Sequence, residues 1–454
     1  MDTRPAPTPR AHSHTPSSSR SRSAARTPSV YKTPGGYKFA YTDPNTPAEE
    51  HTPLKMFARD MDDNADPIAL TRTLQSIADT TTTAGGAAAA AAVNSTATTP
   101  PSFFLYNDEP DVGTASSSYG HTKGVVAEGG ADGGFWIVHS TPKFPASNGK
   151  SAFFFPETEI IYGQTFLCIS LTKAQVDDVG EQLLYTRPFL YHATNAFGSA
   201  AAATAAGYPH LADVLDKKWN TGTGDAGTST VALGGSFISL AKNKEWDNDL
   251  YENLVAKHYK TSLLVETWIR GEALGAYCPP AHEYQVVDAQ SLYVTEGGAN
   301  VTWTETQDHA KWAVGLDGGS SLVCIADINR MSSQRKRGGQ AMCFSDKGLA
   351  YSMRNTVYKR SSCTAPTGPT PTPPAPTPPS PTPAPAPTPS GGGGGTCCFS
   401  SDASCSAGQV CCTSKCTTPA SCSYTKTGCD GTYGKKHHCV WDAGTSVCSV
   451  GSAA

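Results

Sequence analysis

Long apolar runs are missing from this 454-residue chain. No stretch approaches the roughly 18 residues that a membrane-crossing helix needs. The longest alanine tract, Ala87 to Val93, falls far short, so no membrane span is expected. Surplus positive charge is missing too: 35 Lys and Arg stand against 39 Asp and Glu, for a net charge of −4. That excludes a polybasic nucleic-acid binder at neutral pH. The twelve histidines qualify the exclusion. Protonated in an acidic compartment, they turn the balance positive and attract a polyanion. The start lacks the apolar core of about 7–15 residues that secretion requires; Met1 to Ser29 is rich in Ser and Pro and carries Arg4, Arg10, Arg20, Arg22 and Arg26. Apolar residues are scarce overall, at 38%. A single compact globule is thereby excluded, because 43 Gly and 34 Pro gather in tracts that separate folded blocks.

Cysteine, by contrast, is abundant. Ten of fifteen cysteines lie after residue 396, a density that points to an oxidised, secreted or endolysosomal protein. An incomplete N-terminus reconciles this with the missing signal; a transit-like peptide or a plain disordered tail over 1–29 are the alternatives. Residues 30–363 hold the periodic apolar segments. Residues 364–395 run Pro-Thr-rich into Gly391 to Gly395, a stiff polyproline spacer followed by a flexible joint. Residues 396–454 are expected to form a small disulfide-rich module, with zinc binding by His437, His438 and the cysteine pairs as the weaker alternative. A carbohydrate or cell-wall ligand for that module is an analogy of architecture only.

Phe135 to Val138, Thr165 to Ser170, Ser262 to Val265 and Leu322 to Ile325 have the length and composition of buried strands. A helix is expected from Asp247 as cap, with Leu250, Leu254, Val255 and His258 on one face, and another over His210 to Lys218. Strands mixed with helices define a mixed α/β class.

One internal repeat carries chemistry. His121-Thr-Lys123 precedes Asp132-Gly-Gly and the strand Phe135 to Val138; His309-Ala-Lys311 precedes Asp317-Gly-Gly and the strand Leu322 to Ile325. Polar residues close each unit, His139 and Ser140 in the first, Asp327, Asn329 and Arg330 in the second. In extended chain, residues i and i+2 share a face. Each His-x-Lys therefore sets an imidazole beside an ammonium, a pair suited to a phosphodiester: the lysine neutralises a phosphate oxygen while the histidine attacks phosphorus or protonates the leaving oxygen.

At these residues the chain resembles the acid deoxyribonucleases of the DNase II family. The matching segments are Phe104-Leu-Tyr-Asn-Asp-Glu-Pro110, Gly120-His-Thr-Lys-Gly-Val125, Gly133-Gly-Phe-Trp-Ile-Val-His-Ser-Thr-Pro-Lys-Phe-Pro145 and Tyr162-Gly-Gln-Thr-Phe-Leu-Cys168. Asp249-Leu-Tyr251, Asp308-His-Ala-Lys-Trp312, Cys324-Ile-Ala-Asp-Ile-Asn-Arg330, Arg337-Gly-Gly339 and Cys343 follow in order. Over residues 30–363 the resemblance implies a phospholipase D-like pseudodimer, two related halves facing across one active site. It implies a secreted or lysosomal endonuclease that cuts DNA at acid pH without divalent cations and leaves 3′-phosphate ends through a covalent phosphohistidine. His121 with Lys123 and His309 with Lys311 become the two half-sites, with His121 favoured as nucleophile and His309 as general acid. Asn329 is the polar strand-end residue of the second half, and His139 is expected in the corresponding place of the first. The family's Cys-containing first strand is expected to be missing before Val30-Tyr-Lys-Thr-Pro34, which leaves Cys168 unpaired. Cys324–Cys343 and Cys278–Cys363 are the bridges that remain.

Arg330, Arg335, Lys336 and Arg337 follow the second half-site and are expected to meet the DNA backbone. Trp136 and Trp312 are more plausible as core than as base-stacking platforms. Asn94-Ser-Thr96 and Asn300-Val-Thr302 fit N-glycosylation acceptors. The rival reading is a non-catalytic secreted glycoprotein that displays the Cys-rich module on an inactive nuclease domain; a metal-dependent phosphodiesterase ranks third, since no His/Asp cluster has ligand spacing.

Overall fold

The computed structural model describes residues 29–42, 54–57, 60–61, 68–78, 101–129, 133–147, 155–296 and 298–363, with the short stretches 410–412, 415–417, 439–442 and 447–450. The chain divides into two compact units, Met1–Thr367 and Gly368–Ala454. The second contains two short antiparallel hairpins, Val410–Cys412 with Lys415–Thr417 and Cys439–Asp442 with Val447–Val450. The expectations for residues 1–28 of the 1–29 tail, the spacer, most of the Cys-rich segment, Asp132 and Asn94 lie outside the described residues; Ser29, the last residue assigned to that tail, is the first of a strand.

Two sheets build the first unit. One joins β1 (Ser29–Lys32), β2 (Phe39–Thr42), β3 (Ser102–Asn107), β4 (Lys123–Glu128), β5 (Gly134–His139), β6 (Gln164–Leu171) and β7 (Leu190–Ala193), in the order β2-β1-β6-β5-β4-β3-β7. The other joins β8 (Thr228–Leu233), β9 (Phe237–Lys242), β10 (Leu263–Thr267), β11 (Val286–Glu296), β12 (Ala299–Thr304), β13 (Lys311–Gly315), β14 (Leu322–Ala326), β15 (Gly339–Ser345) and β16 (Val357–Arg360). Its order is β12-β11-β10-β13-β14-β15-β9-β8, with β16 beside β11. Five strands of each sheet follow one path: β1-β6-β5-β4-β3 in the first, β9-β15-β14-β13-β10 in the second, all antiparallel. The mixed α/β class stands.

The strands carry apolar residues on both faces because both faces are covered. Alternate positions such as Phe104, Trp136, Ile169, Trp312, Ile325 and Met342 meet in one core. The other face of the first sheet packs on helix α1 (Ala69–Ala78) through Leu70, Leu74 and Ile77; that of the second packs on Leu250, Tyr251 and Val255. Trp136 and Trp312 are fully buried, which settles them as core. Helix α2 (Lys173–Thr186) starts at a reciprocal cap between Thr172 and Gln175, which satisfies backbone donors that the first turn leaves free. Helix α3 (Ala200–Ala205) and helix α4 (Pro209–Leu215) follow, and α5 (Lys347–Thr356) is capped by Asp346.

The expected cap at Asp247 is displaced. Asp249 accepts from Tyr251 N and Glu252 N, both at 3.3 Å, and a π-helical turn runs over Tyr251–Ala256. His258 is exposed, so it does not continue the buried face. Both bridges expected for this block are present, Cys278–Cys363 and Cys324–Cys343, and Cys168 is free and buried. β6, which carries Cys168, has β1 on one side and β5 on the other, so the place beside it is filled by Ser29–Lys32.

Candidate active site

His121 and His309 come from different sheets and meet with ring centres 6.3 Å apart, tilted by 48°. Each stands just before its lysine, which opens a central strand: Lys123 opens β4 and Lys311 opens β13. The order of strands explains the meeting. Each half places its His-x-Lys at the same end of the same strand, so chemistry 188 residues apart in sequence converges by topology alone.

The histidines are held crosswise. His121 Nδ1 lies 2.5 Å from Asp327 O, in the turn that follows β14; His309 Nδ1 lies 2.7 Å from Ser140 O, in the turn that follows β5. A carbonyl can only accept, so both rings carry their proton on Nδ1 and leave Nε2 free to react. Lys311 Nζ sits 3.0 Å from the same His309 Nδ1 and 2.5 Å from His309 O. Because Nδ1 already carries a proton, the lysine's hydrogen bond goes to the oxygen. Backbone anchors repeat the exchange: His121 N donates to Gly338 O at 2.9 Å and His309 N to Gly163 O at 2.8 Å. Neither glycine has room for a side chain. A Cβ on Gly163 would come within 2.3 Å of Asp308 Oδ1, and one on Gly338 within 2.4 Å of Thr186 O.

The same register identifies which residues correspond. Ser140 Oγ accepts from Thr165 N, and Asp327 Oδ1 accepts from Gln340 N; Ser140 N donates to Thr165 O, and Asp327 N to Gln340 O. Ser140 thus matches Asp327, and the strand ends His139 and Ala326 match each other. This corrects the expected correspondence of His139 with Asn329, which a count of strand-end polar residues could not resolve. His139 is buried between Phe144 and Phe166, its Nδ1 accepting from Thr141 N. Burial, with Lys123 nearby, lowers it to about 3. Asn329 is buried, in the segment that leads from β14.

Charge around the pair is tightly managed. Desolvation, and then the nearby Lys123, Arg337 and Lys311, hold His121 well below its ordinary value. Desolvation, then Lys311 and Lys123, do the same to His309. Burial pushes the Asp327 carboxyl up to about 7. Lys123 pairs with Asp108, which Arg337 also reaches at 3.1 Å; burial pushes that carboxyl up, but the two cations outweigh it and hold it below the usual range. Asp308, next to His309, accepts from Tyr31 Oη and from Trp303 Nε1 at 2.8 Å. Sequence reading missed the roles of Asp108, Asp308 and the two carbonyls, which depend on contacts between segments distant in sequence.

The four cations expected at DNA divide. Arg330 is fully buried, with Nη1 2.5 Å from Asp288 and Nε 3.3 Å from Asp249. It braces the second sheet, and its closeness to Asn329 in sequence misled. Arg335 donates to Asp247 O at 2.6 and 3.0 Å. Lys336 is exposed, and Arg337 turns inward to Asp108 and Tyr119 O. Lys336 and Arg337 also line a pocket of about 270 Å³ beside Gly120 and Gly338, with Tyr185, Arg187, Lys217 and Trp219.

Two mixed α/β halves bring paired imidazoles and ammoniums together, an arrangement suited to a phosphodiester. The comparisons agree. The sequence model of the deoxyribonuclease II family matches residues 26–363. Plancitoxin-1 of Acanthaster planci is 35% identical over 269 residues, 57% of this chain and 71% of its own. Deoxyribonuclease-2 of Caenorhabditis elegans is 38% identical over 254 residues, 55% of this chain and 63% of its own, and deoxyribonuclease-2-alpha of Rattus norvegicus is 34% identical over 270, 58% and 73%. The chain belongs to the deoxyribonuclease II family, and so to the hydrolases of phosphodiester bonds.

Proposed function

We propose that this protein is a cation-independent acid endonuclease that cuts DNA to 3′-phosphate ends through a phosphohistidine, within a phospholipase D-like pseudodimer. The observation that carries it is the crosswise pair: two imidazoles whose ring centres lie 6.3 Å apart, each protonated on Nδ1 by its hydrogen bond to the other half's carbonyl, so that each keeps Nε2 for chemistry. His121 Nε2 attacks phosphorus, the P–O5′ bond breaks, and the departing 5′ oxygen takes the Nε2 proton of His309. Water then attacks the phosphohistidine, gives its proton to His309, and the P–N bond breaks to release the 3′-phosphate. Lys123 and Lys311 offset the phosphate charge, as metal ions do elsewhere. Asn329 lines the second half-site, and His139, uncharged at any working pH, shapes the first.

The pocket supports DNA as the substrate, since it combines Arg187, Lys217 and Lys336 with Tyr185 and Trp219, phosphate-binding and base-stacking groups, and reaches Gly120, the residue before His121. The nuclease block is assigned to residues 30–363, tethered by 364–395 to a module at 396–454. A secreted or endolysosomal setting matches the acid chemistry and the disulfides. Among the described residues no helix is long and apolar enough to cross a membrane. The test is end analysis after cleavage at about pH 5 with EDTA. Fragments should prime a polymerase only after phosphatase treatment and accept 5′ phosphate directly; 3′-hydroxyl ends would overturn the assignment.

A further inference from the structure

Two buried lysines take no part in the chemistry above, yet they occupy matching places. Lys32 ends β1 and pairs in register with Gln164, next to Gly163; Lys242 ends β9 and pairs with Gly339, next to Gly338. Neither is more than 1% exposed. Lys32 Nζ donates to the carbonyls of Thr33 at 3.0 Å, Ile160 at 2.8 Å and Tyr162 at 2.7 Å. Lys242 Nζ donates to those of Gln334 at 3.3 Å, Arg335 at 2.8 Å and Arg337 at 2.6 Å. An ammonium has three N–H donors, and here each meets three acceptors, the arrangement that makes a buried charge tolerable.

The caged segments also match. Each follows or contains a short 3-10 turn, Glu157–Glu159 in one half and Ser332–Lys336 in the other, and each runs directly into the glycine that holds a histidine. Tyr162 precedes Gly163, whose carbonyl receives His309 N; Arg337 precedes Gly338, whose carbonyl receives His121 N. We propose that Lys32 and Lys242 are a matched pair of positioning residues, each fixing the loop that sets one reacting histidine, Lys32 for His309 and Lys242 for His121. The relation is crosswise, because each lysine stands in the half opposite the histidine it sets. Burial lowers both to about 7 against the pull of nearby carboxylates, Asp308 and Glu159 for Lys32 and Asp249, Asp327 and Asp247 for Lys242. In acid both are therefore ammonium ions with the third donor in place.

The inference deepens the reading of His121 and His309 as the reacting pair, and its decisive measurement does not need turnover. Lys32→Met and Lys242→Met keep the stem and remove the donors. In the full-length chain, the ring signals of the two histidines, assigned by single His→Ala variants, are titrated by NMR. Lys32→Met should move the titration of His309 and leave that of His121 in place, and Lys242→Met should do the reverse. DNA cleavage by the folded variants should fall in kcat by on the order of 10²-fold, the cost of a displacement of about 1 Å at the reacting atoms, with KM within about twofold. Where a Met variant does not fold, Lys→Gln, which retains two donors, is read in the same way. Lysines that only stabilise the fold would lower the melting temperature and leave both titrations unchanged. That result overturns the proposal, as do equal shifts of both histidines in each variant, or failure of both substitutions to fold. If wild type does not cleave DNA while the crosswise shifts appear, the function assignment fails and the positioning relation stands.

Discussion

Replacing Lys311 by Met should move the alkaline limb of the pH–rate profile upward. General acid catalysis needs one imidazolium and one neutral imidazole, so the rate follows a bell between two macroscopic pKa values. Both histidines are held well below 6.5, first by desolvation and then by neighbouring lysines. The protonated partner therefore exists only in acid, and each pH unit above the alkaline limb costs a factor of ten, about 1.4 kcal/mol. Lys311 Nζ lies 3.0 Å from His309 Nδ1. At an effective dielectric of about 20, a charge at that range contributes roughly 5 kcal/mol against the imidazolium. Lys311 is itself held well below its ordinary value by burial and then by Lys123, against the pull of Asp308, Asp108 and Glu266, so only part of that figure is expected to reach the limb, whose movement is upward. The assay is nicking of supercoiled plasmid in EDTA buffers spanning about pH 4 to 8, read from the position of the limb, since the height falls as well. A limb that stays put or moves down would refute the electrostatic account of the acid optimum.

Other outcomes follow from the same geometry. His121→Ala and His309→Ala should each reduce cleavage by about 10²-fold or more, with the double variant no worse than either single one, because the pair acts as a unit; single variants that keep a tenth of the rate would sink the assignment. Arg330→Met should destabilise the fold by about 3–5 kcal/mol in urea unfolding, since Asp249 and Asp288 are left buried without their partner, and a loss of DNA affinity with stability unchanged would restore Arg330 as a DNA contact. Lys217→Glu at the pocket should weaken DNA binding and flatten its dependence on salt. A chain ending at Cys363 should cut DNA as fast as the full one, and a folded but inactive product would bring the last module into the site.

Much of the fold and of the candidate site was legible in the sequence. The four apolar runs became β5, β6, β10 and β14 because their length and composition already described strands covered on both faces. The two His-x-Lys units were visible because period 2 ties an imidazole to an ammonium locally. What holds the histidines was not visible. The carbonyls of Asp327 and Ser140 belong to the backbone and carry no sequence signal, and Lys32 and Lys242 matter through pairings made across the sheets. The same limit explains Arg330, where nearness in sequence to Asn329 suggested a surface role while Asp249 and Asp288, distant in sequence, draw it inside. It also explains Asp247, since Asp249 two residues on offers a carboxylate at the right reach of the first turn.

The phosphohistidine is the central claim, and trapping it is the most direct test. Enzyme mixed with a short DNA duplex in EDTA at about pH 5 is quenched into alkali, where phosphoramidates survive, then digested and analysed by mass spectrometry. The account expects a peptide containing His121 that carries the 3′-phosphoryl fragment, formed in a burst and absent from His121→Ala. Cleavage at full rate with no adduct on His121 or His309 would contradict it.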